Sequence, residues 1–275
     1  MATVVLTGAS DGIGAAAAVM LTAQGHDVVA TGRSVQKLQA VHKRMVAIAP
    51  DDLVVPAPLV ADLGSLAEVR RLASEIGERV DRVDVLANNA GLTTGRREVS
   101  ADGFELTLAV NHLAPFLLTR LLLEKLTASG GRVVTTSSAV HRLGRLDLDD
   151  LQLERRWWRL RSYGNSKLAN ILFTGELRRR TGIPASSFHP GAVNTELSRD
   201  STLTRLVKRF GRYMRSPEQG ADTLVWLATM PEGQAPSALY YADRKPARTS
   251  SAARDHDLAA RLWDRTAELV APFAR

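Results

Sequence analysis

The sequence predicts an α/β protein built on a doubly wound parallel sheet of about seven strands, with helices covering both faces. Short β-rich runs alternate with segments of helical periodicity along the whole 275-residue chain, which is the rhythm of parallel strands joined by helices. A glycine-rich turn follows the first run, as expected where a strand passes tightly into a helix. No repeat, low-complexity tract or linker divides the chain, so we expect residues 1–275 to form one domain.

The predicted strands and helices alternate in a regular order. Seven β-rich runs predict strands over residues 3–7, 27–31, 53–61, 84–88, 132–136, 184–188 and 239–241. Helical periodicity predicts helices near residues 13–24, 35–48, 65–79, 103–127, 163–180, 217–229 and 253–270. The third run contains Pro56 and Pro58, and proline cannot donate a ladder hydrogen bond from inside a sheet. An edge position for this strand agrees with the doubly wound order 3-2-1-4-5-6.

Composition excludes several classes of protein. Apolar residues make up 45% and charged residues 24% of the chain, which is globular composition. There is no cysteine, so disulfide frameworks, cysteine-ligated zinc and cysteine nucleophiles are excluded, and the six histidines have no ligand spacing that predicts a metal site. Polar residues and Pro115 interrupt the longest apolar stretch, residues 106–123, so we expect no stable membrane insertion. We also expect no signal peptide and a cytoplasmic location.

The net charge of +7 is concentrated in one segment. Residues 199–215 hold six basic residues against Asp200, or +5, and the rest of the chain is close to balanced. A nucleic-acid-binding protein would also be basic, but we expect no nucleic-acid partner. A gel-shift assay across a series of salt concentrations tests this, because binding to nucleic acid weakens steeply with salt. Apolar residues recur at helical spacing within this segment, which predicts a substrate lid, with a membrane-surface element as the alternative: Leu203, Leu206, Val207, Phe210 and Met214.

The glycine-rich turn predicts a nucleotide site. Residues 7–14 read Thr-Gly-Ala-Ser-Asp-Gly-Ile-Gly between a strand and an Ala-rich helix, and glycines there let the backbone approach a pyrophosphate at the helix N-terminus. An ordinary βα turn is the alternative. The second strand ends in Thr-Gly-Arg-Ser at residues 31–34, which holds Arg33 and no carboxylate, and this favours the 2′-phosphate of NADP(H) over the free ribose of NAD(H). Asp11 is the residue whose charge would oppose that phosphate.

Tyr163 and Lys167 form the second chemical pattern. They are four residues apart, so on a helix they share one face. A nearby ammonium favours the phenolate and is expected to lower the pKa of the phenol, which suits proton exchange with a carbonyl or an alcohol. An ordinary amphipathic helix is the alternative for this pair taken alone.

Four motifs in one order resemble the short-chain dehydrogenases/reductases. They are the glycine turn, Asn-Asn-Ala-Gly at residues 88–91, the Tyr-x-x-x-Lys pattern at residues 163–167, and Pro190-Gly191 followed by Thr195. The 24 residues between Ser138 and Tyr163, with Asn-His-Leu at 111–113 and Ser-Lys-Leu-Ala-Asn at 166–170, resemble the retinol-dehydrogenase-like branch. The resemblance implies a Rossmann-type fold and an oxidoreductase.

The resemblance also implies roles for individual residues. Tyr163 exchanges the proton, Lys167 assists it and holds the ribose, Ser138 binds the substrate oxygen, and Asn111 holds a water that connects Lys167 to solvent. Side chains alternate along a strand, so only one residue of the pair Ser137-Ser138 is expected to face the pocket, and the family pattern selects the second. The expected cofactor-binding residues are Gly8, Ser10, Asp11, Gly12, Ile13, Gly14, Arg33, Asp62, Leu63, Asn89, Ala90, Gly91, Tyr163, Lys167, Pro190, Gly191, Val193 and Thr195.

Substrate and partners are the least constrained part of the prediction. We expect an NADP(H)-dependent oxidoreductase that interconverts a carbonyl and an alcohol on a lipophilic small molecule, with the pocket formed by residues 141–161 and 198–216. Trp157 and Trp158 either roof that pocket or anchor the first segment. A homo-oligomer (dimer or tetramer) through helices 103–127 and 163–180 is implied by resemblance. A nucleotide-sensing regulator on the same fold is the main alternative.

Overall fold

The computed structural model describes residues 1–193 and 214–274 and forms one mostly parallel sheet in that part of the chain. The strands are β1 Thr3–Leu6, β2 Asp27–Gly32, β3 Leu59–Val60, β4 Val85–Asn88, β5 Arg132–Thr136, β6 Ala185–Phe188, β7 Tyr240–Ala242 and β8 Lys245–Pro246. Their order is β3-β2-β1-β4-β5-β6-β7-β8, which confirms the doubly wound prediction. The eighth strand is a two-residue antiparallel addition next to β7 that the sequence did not predict.

Helices cover both faces of the sheet, as predicted. They are α1 Gly12–Ala23, α2 Val35–Ile48, α3 Leu66–Arg79, α4 Leu106–Leu108, α5 Ala114–Leu121, α6 Leu123–Ala128, α7 Arg159–Thr181, α8 Pro217–Thr229, α9 Pro231–Gln234 and α10 His256–Val270. One buried cluster joins the sheet to α1, α2 and α8, and a second joins it to α3, α5, α7 and α10. No helix among the described residues has the length and apolar character needed to cross a membrane.

The third strand is much shorter than predicted. Residues 53–61 were expected to form it, but only Leu59–Val60 pair with β2. Pro56 and Pro58 explain the difference, because neither residue has a backbone N–H to donate to the neighbouring strand. The strand lies at the edge of the sheet, where this loss is tolerated.

The helix predicted over residues 103–127 is interrupted. A π-helical turn, Ala109–Leu113, separates α4 from α5, and α6 follows α5 after Leu122. A π turn holds one more residue than an α turn, so it changes which side chains face the sheet, and such turns often occur at functional sites. Asn111, one of the predicted catalytic residues, lies within it.

Helix α10 fills the groove between α5 and α7. The Trp263 ring lies 4.8 Å from the Phe116 ring and stacks on Phe173 with centroids 5.9 Å apart. Arg180 on α7 lies 5.3 Å from the same indole and forms an ion pair with Asp264 at 2.9 Å. The chain's own helix therefore covers this part of the surface expected to contact another subunit. Oligomerisation itself remains a prediction.

Candidate active site

The predicted motifs meet at one edge of the sheet. The glycine turn follows β1, residues 89–91 follow β4, Ser137 and Ser138 follow β5, and Pro190-Gly191 follows β6. Because these strands are parallel neighbours, their carboxyl ends lie side by side. This is the edge where ligands bind in open α/β sheets.

Thr7 joins two of these loops, and sequence reasoning gave it no role. Its hydroxyl oxygen accepts hydrogen bonds from the backbone N–H groups of Asn89 at 3.0 Å and Ala90 at 3.1 Å. The Asn89 amide in turn donates to the Thr7 carbonyl at 3.0 Å. The feature of the sequence that could have indicated this role is the position of Thr7 directly before the glycine turn. These bonds hold the Asn-Asn-Ala-Gly segment against the nucleotide-binding turn.

The glycine turn has the shape of a pyrophosphate cradle. Gly8 has φ of 69°, and a Cβ atom on it would lie 2.7 Å from Ala90 Cα. A Cβ atom on Gly14 would lie 2.0 Å from the Gly8 carbonyl oxygen. Asp11 caps α1 by accepting from Gly12 N at 2.6 Å, and the first turn holds no acidic residue. The residues present therefore fit an anionic group at the helix N-terminus.

The end of β2 carries the residues that the sequence predicts to select the cofactor. Arg33 is exposed, and Gly32 before it packs against Ser10, whose Oγ would lie 3.1 Å from an added Cβ. The Asp11 carboxylate forms an ion pair with Lys37 Nζ at 3.0 Å. This pairing reduces the repulsion that Asp11 was expected to exert on a phosphate. A cavity of about 360 Å³ opens here, lined by Ser10, Asp11, Gly12, Ala15, Ala16, Lys37, Ala40, Val41, Arg44, Pro217 and Glu218.

Asp62 and Leu63, predicted to contact adenine, follow β3. The Asp62 carboxylate accepts from Gly64 N at 2.8 Å and shapes the turn into α3. The Leu63 side chain lies in the core and is 8% exposed. The Asp62 side chain is exposed, whereas that of Leu63 is buried. A contact with adenine would therefore be made by the Asp62 side chain or by the backbone of this turn.

The segment after β6 approaches the glycine turn from the other side. Gly191 has φ of 84°, in the left-handed region. Val193 and Ile13 converge on Gly220 at the start of α8, where an added Cβ would lie 2.7 Å from Val193 and 3.1 Å from Ile13. Thr195 and most of the predicted lid lie outside the described residues. At the far end of that gap, Arg215 N donates to the Ala192 carbonyl at 2.8 Å.

Tyr163 and Lys167 lie one turn apart on α7, as predicted. Lys167 is 2% exposed, and its Nζ donates to the Thr136 carbonyl at 3.1 Å and lies 5.6 Å from the centre of the Tyr163 ring. Burial lowers the pKa of Lys167 to about 8 and raises the pKa of Tyr163, which a hydrogen bond with Ser138 partly offsets. The net direction for Tyr163 is the reverse of the predicted lowering, because burial outweighs the partners of the phenol.

The pKa shifts of Tyr163 and Lys167 suit proton donation by the phenol. A phenol with a raised pKa is protonated at neutral pH and is ready to give its proton to a developing alkoxide. An ammonium with a pKa of about 8 is still mostly charged at pH 7. The pair therefore combines a proton donor with a buried positive charge that stabilises the phenolate left behind.

The two neighbouring serines face different ways. Ser137 is 1% exposed, and its hydroxyl donates to the Lys167 carbonyl at 2.8 Å. Ser138 caps the 3₁₀ helix Ala139–Leu143 by accepting from Val140 N at 3.3 Å, and its side chain acts to lower the pKa of Tyr163. The selection of Ser138 as the pocket-facing serine agrees with this geometry. Its role toward the substrate stays a prediction.

Asn111 is completely buried, and its side-chain amide makes three hydrogen bonds. The amide oxygen accepts from Leu92 N at 2.8 Å, while the nitrogen donates to the Leu92 carbonyl and to Ser166 Oγ, each at 2.9 Å. The side chain thus joins the π turn to α7 and to the loop after Gly91. A Cβ atom on Gly91 would lie 3.2 Å from Lys167 Nζ, so glycine leaves room beside the buried ammonium. The predicted water-holding role of Asn111 is untested.

Trp157 anchors the segment ahead of α7. Its indole N–H donates to Glu105 at 3.1 Å, and the same carboxylate oxygen accepts from Ser162 at 3.1 Å. Glu105 is 2% exposed and caps α4. Trp158 is 44% exposed, with the Arg156 guanidinium 4.8 Å from its ring. Of the two alternatives left open, anchoring therefore describes Trp157.

Known proteins resemble the chain along almost its whole length. A Streptomyces sp. (strain C5) protein, provisionally assigned as a daunorubicin C-13 ketoreductase, is 43% identical over 99% of this chain and 94% of its own length. Retinol dehydrogenase 13 of Homo sapiens is 37% identical over 98% of this chain and 84% of its own.

Solved structures resemble it too. An uncharacterised Mycobacterium paratuberculosis protein has 31% identity and a TM-score of 0.75, over 98% of this chain and 94% of its own. A Burkholderia cenocepacia short chain dehydrogenase, solved with NADP, has 26% identity and a TM-score of 0.67, over 85% and 92% of the two chains. The family described as short chain dehydrogenase matches residues 2–205. With the cradle and the Ser138, Tyr163 and Lys167 arrangement in place, the chain belongs to the short-chain dehydrogenase family of oxidoreductases, in its retinol-dehydrogenase-like part.

Proposed function

We propose that the protein is an NADP(H)-dependent ketoreductase or alcohol dehydrogenase that acts on a lipophilic small molecule. The observation that carries this proposal is the grouping of Ser138, Tyr163 and Lys167, with Lys167 Nζ buried 5.6 Å from the phenol ring, at the sheet edge that carries the glycine cradle. These groups supply what carbonyl reduction requires of a protein, which is a proton, a donor to the carbonyl oxygen and a nearby positive charge.

The residues divide the work as follows. A bound nicotinamide supplies or takes the hydride, and the protein supplies orientation and electrostatics. Ser138 donates a hydrogen bond to the substrate oxygen, and Tyr163 gives its phenolic proton to that oxygen as negative charge develops. Lys167 stabilises the phenolate and binds the ribose, while Asn111 holds the π turn against α7. In the oxidation direction the phenolate accepts the alcohol proton.

Two positive groups support a preference for NADP(H). Arg33 stands where an NAD-binding protein of this fold places a carboxylate, and Lys37 on the following helix, α2, forms an ion pair with Asp11. The NADP-bound Burkholderia neighbour makes the same cofactor reasonable for this chain. We expect the guanidinium to contact the 2′-phosphate and the α1 N-terminus to contact the pyrophosphate.

A lipophilic substrate is supported by the relatives and by the mouth of the site. The names of the relatives, a daunorubicin ketoreductase and a retinol dehydrogenase, both denote carbonyl–alcohol chemistry. On residues 141–161, which we propose as one wall of the pocket, Leu143 is 61% exposed and Leu160, one turn before Tyr163, is 41% exposed. Residues 198–216 are proposed as the second wall.

The test is a panel of lipophilic ketones and aldehydes, daunorubicin and retinal among them, with NADPH absorbance as the readout. Wild type should oxidise NADPH with at least one of these carbonyl compounds, and Tyr163→Phe should lower kcat by about 10²–10⁴ while NADPH binding is kept. Tyr241→Phe is the matched control, because that phenol bonds to Glu232 on the other face of the sheet. Turnover in Tyr163→Phe within about tenfold of wild type, or NADPH binding without any turnover across the panel, contradicts the proposal; the second result favours a nucleotide sensor.

A further inference from the structure

His112 is a buried histidine that the reaction described above does not use. It is 1% exposed and follows Asn111 in the π turn. Its ring packs against Phe116 at 6.4 Å and edge-on against Phe173 at 6.3 Å. Burial lowers its pKa to about 4, so the imidazole is neutral at physiological pH. A neutral imidazole in an apolar core still needs partners for its two ring nitrogens.

One ring nitrogen meets the C-terminal helix. His112 Nε2 lies 3.0 Å from the hydroxyl of Thr266 on α10, 154 residues away in the chain. Thr266 is completely buried. Trp263, one turn earlier on α10, packs against the same two phenylalanines that surround His112. Helix α10 is therefore attached to the back of the π turn by one polar and one aromatic contact.

The other ring nitrogen, Nδ1, is buried without a partner at hydrogen-bond distance among the described residues. The Asn170 side chain on α7 opposes the lowering of the histidine pKa. Asn170 Nδ2 donates at 3.2 Å to the Thr136 carbonyl, the same oxygen that accepts from Lys167. The bond between Nε2 and Thr266 forms in either tautomer of His112, because a hydroxyl both donates and accepts.

These contacts link α10 to the reacting groups. Thr266 bonds to His112, and His112 is the backbone neighbour of Asn111 in the π turn. Asn170, whose side chain acts on the histidine, shares the Thr136 carbonyl with Lys167. His112, Asn170 and Thr266 are all buried in the core.

We propose that α10 is a clasp on the catalytic helices, in which Thr266 fixes His112 and His112 positions its neighbour Asn111 in the π turn. His112 and Thr266 are thus positioning residues for the carbonyl–alcohol reaction. This inference deepens the proposed function, and its kinetic test depends on that function. Its structural test depends only on the contacts of Thr266 and His112.

The test compares three threonine variants. Thr266→Val keeps the shape of the side chain and removes the hydroxyl, which leaves His112 Nε2 buried without a partner. Thr266→Ser restores the hydroxyl. Thr174→Val is the matched control, because Thr174 is also completely buried but its hydroxyl donates only to the carbonyl of Asn170 in its own helix.

The kinetic readout is kcat on the best ketone at saturating NADPH. We expect Thr266→Val to lower kcat about tenfold, with KM, the NADPH dissociation constant and the values for Thr266→Ser and Thr174→Val within about twofold of wild type. Equal losses in Thr266→Val and Thr174→Val, or wild-type kcat in Thr266→Val, would overturn the clasp.

The structural readout is amide hydrogen exchange of peptides that cover the π turn, residues 109–113, in the absence of substrate. Exchange there should be faster in Thr266→Val than in Thr174→Val, with the glycine-turn peptide unchanged in both. If no ketone is turned over by wild type, the proposed function fails while this measurement still decides the clasp. Unchanged exchange at the π turn would overturn it.

Discussion

The two adjacent serines at the end of β5 offer a sharp separation of stability from catalysis. Ser137 is buried and donates to the backbone of α7, whereas Ser138 is less buried and its side chain acts on the Tyr163 phenol. Ser137→Ala removes one buried hydrogen bond, a loss of about 1 kcal/mol, which corresponds to a fall in Tm of about 2–4 °C for a domain of this size. Ser138→Ala removes the donor to the substrate oxygen and should lower kcat by about 10²–10³.

The assay combines calorimetry with steady-state kinetics on both variants. Ser137→Ala should keep most of its kcat and lose Tm, while Ser138→Ala should keep its Tm and lose kcat. NADPH affinity should change in neither by more than about twofold. If Ser137→Ala loses as much kcat as Ser138→Ala, the division of roles read from the hydrogen bonds is wrong. The same conclusion follows if Ser138→Ala keeps wild-type kcat.

Three further outcomes are expected. Arg33→Ala should weaken NADPH binding by about one to two decades and leave NADH unchanged; equal NADPH dissociation constants for variant and wild type would contradict the cofactor assignment. Trp157→Phe should cost about 1–3 kcal/mol in urea denaturation because Glu105 loses a buried donor, whereas the exposed Trp158→Phe should stay within about 0.5 kcal/mol. Because the pKa of His112 is lowered in the folded protein, the unfolded chain binds the proton at a higher pH. The contribution of His112 to the free energy of unfolding should therefore be full above pH 6.5 and fall toward pH 4, by at most about 1.4 kcal/mol per pH unit. An unchanged slope of stability against pH in His112→Gln would refute this contribution.

The fold and the catalytic groups were predictable because their signals are local. A glycine turn after a strand, a pair of serines at a strand end and a four-residue Tyr–Lys spacing each report a short stretch of backbone, and parallel pairing brings those stretches to one edge. The proposed selection of the cofactor by Arg33 follows from the same logic, since Arg33 comes directly after β2.

The remaining features depend on partners far away in the chain. Nothing in the apolar pattern of residues 103–127 marks the π turn, whose Asn111 bonds to Leu92 and Ser166, the latter 55 residues on. The buried Glu105 contacts Trp157 across 52 residues. The reversed pKa direction of Tyr163 is likewise a consequence of packing, because burial is a property of the assembled core and not of the Tyr-x-x-x-Lys spacing.

The position of α10 also governs how the protein is made. A nascent chain that has emerged as far as residue 250 already contains the glycine turn, Ser138, Tyr163 and Lys167, but it lacks Trp263 and Thr266. Until those residues leave the ribosome, Phe116 and Phe173 line an apolar groove that faces water, and such surfaces attract chaperones and other unfinished chains. Contacts this distant in sequence also form late, because closing a long loop is entropically costly. Synthesis therefore passes through an interval in which Ser138, Tyr163 and Lys167 are present but α10 is not. A separately supplied peptide carrying α10 should shorten this interval.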